Sequence, residues 1–207
     1  MEEKHKIIIG VDEVGVGSLI GPVVAGAVYW NKKYNIDGLN DSKKLNLIQR
    51  EKVFTQIENL GITFVTASAT VEEIEQLNVY YATRLAMKRA IDKVIEKKGI
   101  PDCVLIDGKG RIEKLQASQK WIVKGDAKIS AIMAASVIAK VLRDRYIKKL
   151  VVENPKYEVY KWNTNIGYGT KQHLEAIRKY GLTPFHRKTF QPIKQWLKEG
   201  VINDIGK

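Results

Sequence analysis

Short β-branched runs alternate along this chain with longer stretches whose apolar residues recur at helical spacing. Residues 6–12 and 22–30 read as strands separated by a turn holding Gly15, Gly17 and Gly21, and residues 62–69 read as a third strand. Thr70 and Glu73 have the spacing of a capping box. Beyond them, Tyr81, Leu85, Met87, Ala90, Ile91, Val94 and Ile95 mark a helix over about 78–98 that stops before Gly99 and Pro101. A short apolar run, Cys103 to Asp107, predicts a fourth strand, and Trp121-Ile122-Val123 predicts a fifth that ends near Asp126. Ile129, Ile132, Ala135, Ile138, Ala139 and Leu142 give a second long helix an apolar face over about 128–152. After it come Gly167-Tyr168-Gly169, a short helix over about 171–180 and a Pro-containing tail to residue 207. No linker or repeat interrupts the pattern, so the expectation is an α/β protein of one domain, residues 1–207, with a small helical extension from about 155.

Acidic residues at the ends of these strands change the picture. Asp12 and Glu13 close the first apolar run, Asp107 closes the fourth, and Asp126 follows the fifth. Carboxylates gathered at the edge of a core are costly unless cations offset them, and an all-oxygen set of four suits Mg²⁺ or Mn²⁺ better than zinc. Neighbouring side chains on a regular strand face opposite ways. Asp12 and Glu13 therefore share one site only if the strand distorts or ends there, which the following glycines permit. A dinucleotide-binding loop is a poor reading of Gly15–Gly21, because position 20 is Ile and Pro22 opens a strand where a helix should start.

Charge narrows the class of partner. The chain holds 35 Lys and Arg against 23 Asp and Glu, a formal net charge of +12, which favours a polyanion such as nucleic acid. One cysteine, Cys103, excludes an internal disulfide and reads as a core residue, and with His5, His173 and His186 it makes no zinc-spaced cluster. No secretory leader or membrane-length apolar run is evident. The expectations are a cytoplasmic location, no membrane partner and a monomer.

Gly10-Val11-Asp12-Glu13-Val14-Gly15-Val16-Gly17, followed by Gly21-Pro22-Val23-Val24, resembles the first motif of the ribonuclease HII family. Leu39-Asn40-Asp41-Ser42-Lys43-Lys44-Leu45 resembles the second and Ile106-Asp107-Gly108 the third. The fourth is matched by Lys124-Gly125-Asp126-Ala127-Lys128, by Ala134-Ala135-Ser136-Val137-Ile138-Ala139-Lys140-Val141 and by Arg143-Asp144. Gly167-Tyr168-Gly169-Thr170 and His186-Arg187-Lys188-Thr189-Phe190 carry the likeness into the C-terminal region.

The resemblance implies a ribonuclease H fold, with a central mixed five-stranded sheet flanked by helices. It implies an endonuclease that hydrolyses the RNA strand of RNA/DNA hybrids, and also cuts ribonucleotide-containing duplex DNA, leaving 5′-phosphate and 3′-hydroxyl ends. Asp12, Glu13, Asp107 and Asp126 would hold two Mg²⁺ or Mn²⁺ ions about 4 Å apart. Tyr168 would sense the ribose 2′-hydroxyl, the group that separates RNA from DNA. Substrate contacts are expected from Gly15, Val16, Gly17, Ser42, Lys43, Lys44 and Arg187, with Lys124 and Lys128 as further phosphate candidates. Asp144 would lie near the acids but outside their set, and reads more simply as a helix-surface ion pair with Arg143.

Val16 departs from the family, which carries Arg or Lys there. It leans toward the ribonuclease HIII type, which cuts hybrids and acts poorly on a single ribonucleotide. A DNA resolvase-like nuclease and a noncatalytic hybrid-binding module on the same fold are the remaining alternatives.

Overall fold

The first two apolar runs form an antiparallel pair, β1 (Ile7–Val14) and β2 (Val23–Asn31), in the computed structural model, which describes residues 7–202. Residue 6 of the first expected strand, His5 and the tail beyond 202 lie outside the described residues. β3 (Phe64–Ala69), β4 (Cys103–Asp107) and β5 (Gln119–Ile122) complete a mixed five-stranded sheet in the order β3-β2-β1-β4-β5. β4 runs parallel to both β1 and β5, so the chain ends of β1 and β4 point the same way, which is what a shared site at those ends requires.

Three longer helices accompany the sheet: α1 (Leu47–Asn59), α2 (Val71–Lys98) and α3 (Ser130–Glu153). α3 comes very close to the sheet. A Cβ added at Gly10 would stand 2.3 Å from the Ala131 backbone, and one at Gly26 would stand 2.6 Å from the Ala135 carbonyl oxygen. Glycine on the strands and alanine on the helix let the two backbones meet, and any larger residue would force them apart.

α2 is kinked at Asn78, whose φ of 62° is in the left-handed region. The Asn78 side chain accepts hydrogen bonds from the Tyr80 and Tyr81 amides and so caps the second half of the helix, matching the start expected near 78. The first half is real as well, begun by the Thr70–Glu73 capping box with both reciprocal bonds formed.

α1 is not among the elements the hydrophobic pattern predicts. Its buried residues are Val53, Phe54 and Ile57, while Leu47 and Ile48 are exposed, so its apolar stripe is short and blurred. A capping box between Asn46 and Gln49 is the signal that marks it.

The described residues group into two compact units, 7–14, 24–68 and 83–142 in one and 15–23, 69–82 and 143–202 in the other. The first unit has a core in which Val28, Trp30, Phe54 and Ile57 pack with Ala131, Ala135 and Ile138 of α3. The second has an aromatic core of Tyr157, Tyr160, Trp162 and Trp196, joined by Leu19, Ile20 and Ile147. It also contains α4 (Trp162–Asn165), α5 (Lys171–Tyr180) and α6 (Ile193–Lys198), within the stretch expected as a helical extension. Among the described residues no helix is long and apolar enough to cross a membrane.

Candidate active site

In the first unit the sheet brings together Asp12 of β1, Asp107 at the end of β4 and Asp126. Each offers a carboxylate oxygen, and the three oxygens lie within 4.8 Å of one another. Asp126 is not on a strand end as expected. β5 stops at Ile122, and Asp126 lies four residues on, in a 3-10 turn over Gly125–Ala127. Asp107 fixes that turn by accepting hydrogen bonds at Oδ1 from the Gly125 amide (2.6 Å) and the Asp126 amide (3.4 Å). One acid thus builds the loop that delivers the next.

Glu13 differs from its neighbour. β1 continues without distortion through Asp12, Glu13 and Val14, paired with Gly26, Ala25 and Val24, so the strand neither breaks nor ends at the acids. The pleat therefore separates the two side chains, and Glu13 is outside the close trio. It is still coupled to it. Burial and the Asp107 charge raise the Glu13 carboxyl to about 7, while Arg84 and Lys43 pull it down.

Asp12 is 4% exposed, and its carboxyl is raised well above the usual range, first by burial and then by the charges of Glu13 and Asp107. Ser136 of α3 opposes this through a hydrogen bond to Asp12, and the Ser136 hydroxyl is 2.7 Å from the hydroxyl of Ser42. Ser42 is therefore buried behind Asp12 rather than displayed to a ligand. Lys43 donates to Asp126 at 2.7 Å with most of its side chain exposed, and Lys44 is exposed. The Asp41 side chain accepts from the Lys43 amide, and Arg50 holds the Ser42 and Leu45 carbonyls, so this polar segment has a fixed path. Lys124 and Lys128 are exposed, and Lys128 donates to the Val123 carbonyl.

Burial and neighbouring negative charge hold the Asp12 and Glu13 carboxyls above their usual range, a cost that a divalent cation would remove. The donors are all carboxylate oxygens, which fits Mg²⁺ or Mn²⁺. Asp12, Asp107 and Asp126 are the residues able to hold such ions directly.

In the second unit the Gly15–Pro22 segment meets the Gly167-Tyr168-Gly169 turn. Leu19 donates to the Gly167 carbonyl at 2.9 Å, and the position of a Gly17 Cβ would be 4.0 Å from the Tyr168 ring. Tyr168 is 37% exposed, Gly17 is exposed and Val16 is half-buried. Gly15 has φ +87°, and a Cβ there would stand 2.2 Å from Nε of Arg143, so both conformation and space require glycine.

Arg187 is fully buried. It donates through Nε to the Gly21 carbonyl at 2.9 Å and through Nη1 to the Val16 carbonyl at 3.0 Å. Arg143 is also fully buried and donates to the carbonyls of Pro22, Ile20 and Ile166, which corrects the expected surface ion pair with Asp144, itself 7% exposed. Cys103 is half-buried rather than in the core.

Two histidines lie beneath the turn. Trp162 donates to Nε2 of His173 at 2.9 Å, so the proton of this ring is on Nδ1, 2.9 Å from the Tyr168 carbonyl oxygen. His186 accepts the Thr183 amide on Nδ1 and turns its Nε2 toward His173 at 3.3 Å. Burial, and then the His173 charge, push His186 down to about 3, so both rings stay neutral at physiological pH. Ser136, Arg143 and the histidine pair were not legible as site residues. Ser136, Arg143 and His186 lie within the family-like motifs, but nothing local separates an inward-facing polar side chain from a solvated or capping one.

Comparison with known proteins agrees with this architecture. A ribonuclease HII from Pelagibacter ubique (strain HTCC1062) is 47% identical over 192 residues, covering 93% of this chain and 100% of the relative. The crystal structure of ribonuclease H2 from Pyrococcus horikoshii OT3 superposes with a TM-score of 0.70 at 28% identity, covering 94% of this chain and 98% of that one. A structure of Bst-RNase HIII in complex with Mn²⁺ shares the fold at a TM-score of 0.65 and 17% identity, covering 94% of this chain and 70% of that one. The sequence profile of ribonuclease HII matches residues 9–193, nearly the whole of the described chain, and the chain therefore belongs to the ribonuclease HII family of endonucleases that hydrolyse the RNA of RNA/DNA hybrids.

Proposed function

We propose that this chain cuts the RNA strand of hybrids by two-metal-ion hydrolysis, with Asp12, Asp107 and Asp126 as direct ligands and Glu13 completing the acidic set. The observation that carries this reading is the convergence of three carboxylate oxygens within 4.8 Å in a largely buried setting. Bound Mg²⁺ or Mn²⁺ would act as a Lewis acid on the phosphate, lower the pKa of the attacking water and stabilise the leaving 3′-oxygen. Ser136 holds the Asp12 carboxylate, and the Gly125 and Asp126 amides hold Asp107, so the ligands are oriented before a substrate arrives. Lys43, now on Asp126, carries an exposed ammonium that can turn to a substrate phosphate once the acid is otherwise neutralised.

Tyr168 reads the ribose 2′-hydroxyl, with Gly17 beside its ring leaving room for a sugar. Gly15, Val16 and Gly17 border the same substrate, Lys44 positions the duplex through phosphate contacts, and Arg187 acts from behind them. The enzyme works as a cytoplasmic monomer. Because Val16 lacks the cation usual at its place, duplex DNA with a single ribonucleotide is the weaker substrate, as in the hybrid-only type.

End-labelled RNA/DNA hybrid, DNA with one embedded ribonucleotide and plain duplex DNA, each with Mg²⁺ or Mn²⁺, test the reading. Cleavage of the hybrid to 5′-phosphate and 3′-hydroxyl products, with plain DNA intact, is the expected result. Cutting of duplex DNA, or binding of hybrid without cutting, would overturn it.

A further inference from the structure

Arg143 and Arg187 are both fully buried, and the hydrogen bonds described above run from their guanidinium groups to main-chain carbonyl oxygens. Burying a guanidinium is costly unless its donors are met, so an arrangement that uses two of them needs a physical reason. The reason lies in the segment they serve. Residues 15–22 turn through positive φ at Gly15 and Gly21, outside any helix or strand up to Pro22, so several of their carbonyls have no ladder to join. Arg143 takes Pro22 at 3.2 Å and Ile20 at 3.1 Å, and Arg187 takes Gly21 at 2.9 Å and Val16 at 3.0 Å. Arg143 also takes Ile166 at 3.2 Å, two residues before Tyr168, and so ties the Tyr168 turn to the same anchor. The five-donor fork of arginine can span three carbonyls set at different angles, which a lysine ammonium on a flexible stem cannot reproduce. Nη2 of Arg187 is buried with no hydrogen-bond partner, so this side chain is not placed for its own best solvation.

We propose that Arg143 and Arg187 are positioning residues, which lock the Gly15–Pro22 segment and the Tyr168 turn into one rigid surface against which a ribonucleotide is read. The proposal rests on the reading of Tyr168 as the hydroxyl sensor. Neither arginine touches substrate, and each acts through backbone that does.

The test pairs Arg143→Lys and Arg187→Lys with Tyr168→Ala in the full chain, with two readouts. Amide hydrogen exchange at Leu19 and Gly21, whose N–H groups bond Gly167 and Phe185, reports the lock directly. Cleavage at a single embedded ribonucleotide reports its use. Each lysine variant should speed exchange at those amides at least about tenfold while β1 and β4 stay protected, and should lower cleavage about tenfold. Adding Tyr168→Ala to either should cost no more than Tyr168→Ala alone, because residues acting through one element are not additive. Guanidinium ion should restore Arg143→Ala but not the Arg143→Ala/Tyr168→Ala double variant. Unchanged exchange at Leu19 and Gly21, or additive losses, would overturn the proposal. If Tyr168→Ala leaves cleavage unaltered, the reading of Tyr168 fails, and the exchange measurement still decides whether the arginines hold the segment. Should one lysine variant fail to fold, the other carries the same test.

Discussion

The two compact units solve opposite electrostatic problems. In the first, Asp12 and Asp126 are buried beside the half-buried Asp107, with Lys43 as the ion-pair partner of Asp126. In the second, Arg143 and Arg187 are buried cations that donate to carbonyl dipoles, and burial followed by the Arg143 charge brings Arg187 down to about 9. The acids have protein donors, Ser136 on Asp12, main-chain amides on Asp107 and Lys43 on Asp126, yet Asp12 stays well above the usual carboxylate range, which under the proposed function a cation would relieve. The arginines direct their hydrogen bonds to main-chain carbonyls, with Nη2 of Arg187 left over, and so hold backbone. Under the proposed function, buried charge of one sign serves chemistry here, and buried charge of the other serves scaffolding.

The sharpest way to break the contrast is to remove an acid. Asp12→Asn or Asp107→Asn should reduce hybrid cleavage at least about 10⁴-fold, a loss of more than 5 kcal/mol of transition-state stabilisation. Near-normal rates in the purified, folded variant would end the assignment. The same variants should melt no lower than the parent without metal, because they relieve repulsion among the acids.

The histidine pair gives the second unit its own signature. His186 stays neutral in the folded chain down to about pH 3 but takes a proton near 6.5 when unfolded. Its contribution is therefore whole above pH 6.5 and is lost as pH falls from 6.5 toward 3, by on the order of 4 kcal/mol across the window. Urea unfolding should lose more stability between pH 6.5 and 4.5 in the parent than in His186→Asn. Equal slopes would mean that the ring carries a proton in the folded state.

Metal should stabilise through the first unit. Mn²⁺ at a hundred times its Kd should add about 2.7 kcal/mol, raising Tm by roughly 5–10 °C. Chelator should reverse the rise, and Asp12→Asn should abolish it. A shift that survives Asp12→Asn would locate metal binding elsewhere.

The smallest expected effect concerns Val16. Val16→Arg should raise cleavage at a single embedded ribonucleotide about tenfold, the low end of what a charge-assisted hydrogen bond contributes. Long hybrids should change less. Equal effects on both substrates, or none, would show that the missing cation does not set substrate choice.

The sequence by itself determined the sheet strands, the placement of Asp107 at the end of its strand, and the long helices, because strong hydrophobic periodicity is imposed locally by burial. Family motifs added Tyr168 and agreed with the place of Asp126 in the acidic set. α1 escaped because its buried face is short, and the turn carrying Asp126 escaped because it depends on the hydrogen bond that the Gly125 amide donates to Asp107, eighteen residues away. Only the tertiary structure decided that β1 stays regular and leaves Glu13 outside the close trio, that Ser42 backs Asp12 through Ser136, and that Arg143 and Arg187 face inward. A charged or hydroxyl side chain looks the same in sequence whether it meets water or a distant carbonyl. Its partner is set by long-range packing, and packing is what local pattern does not encode.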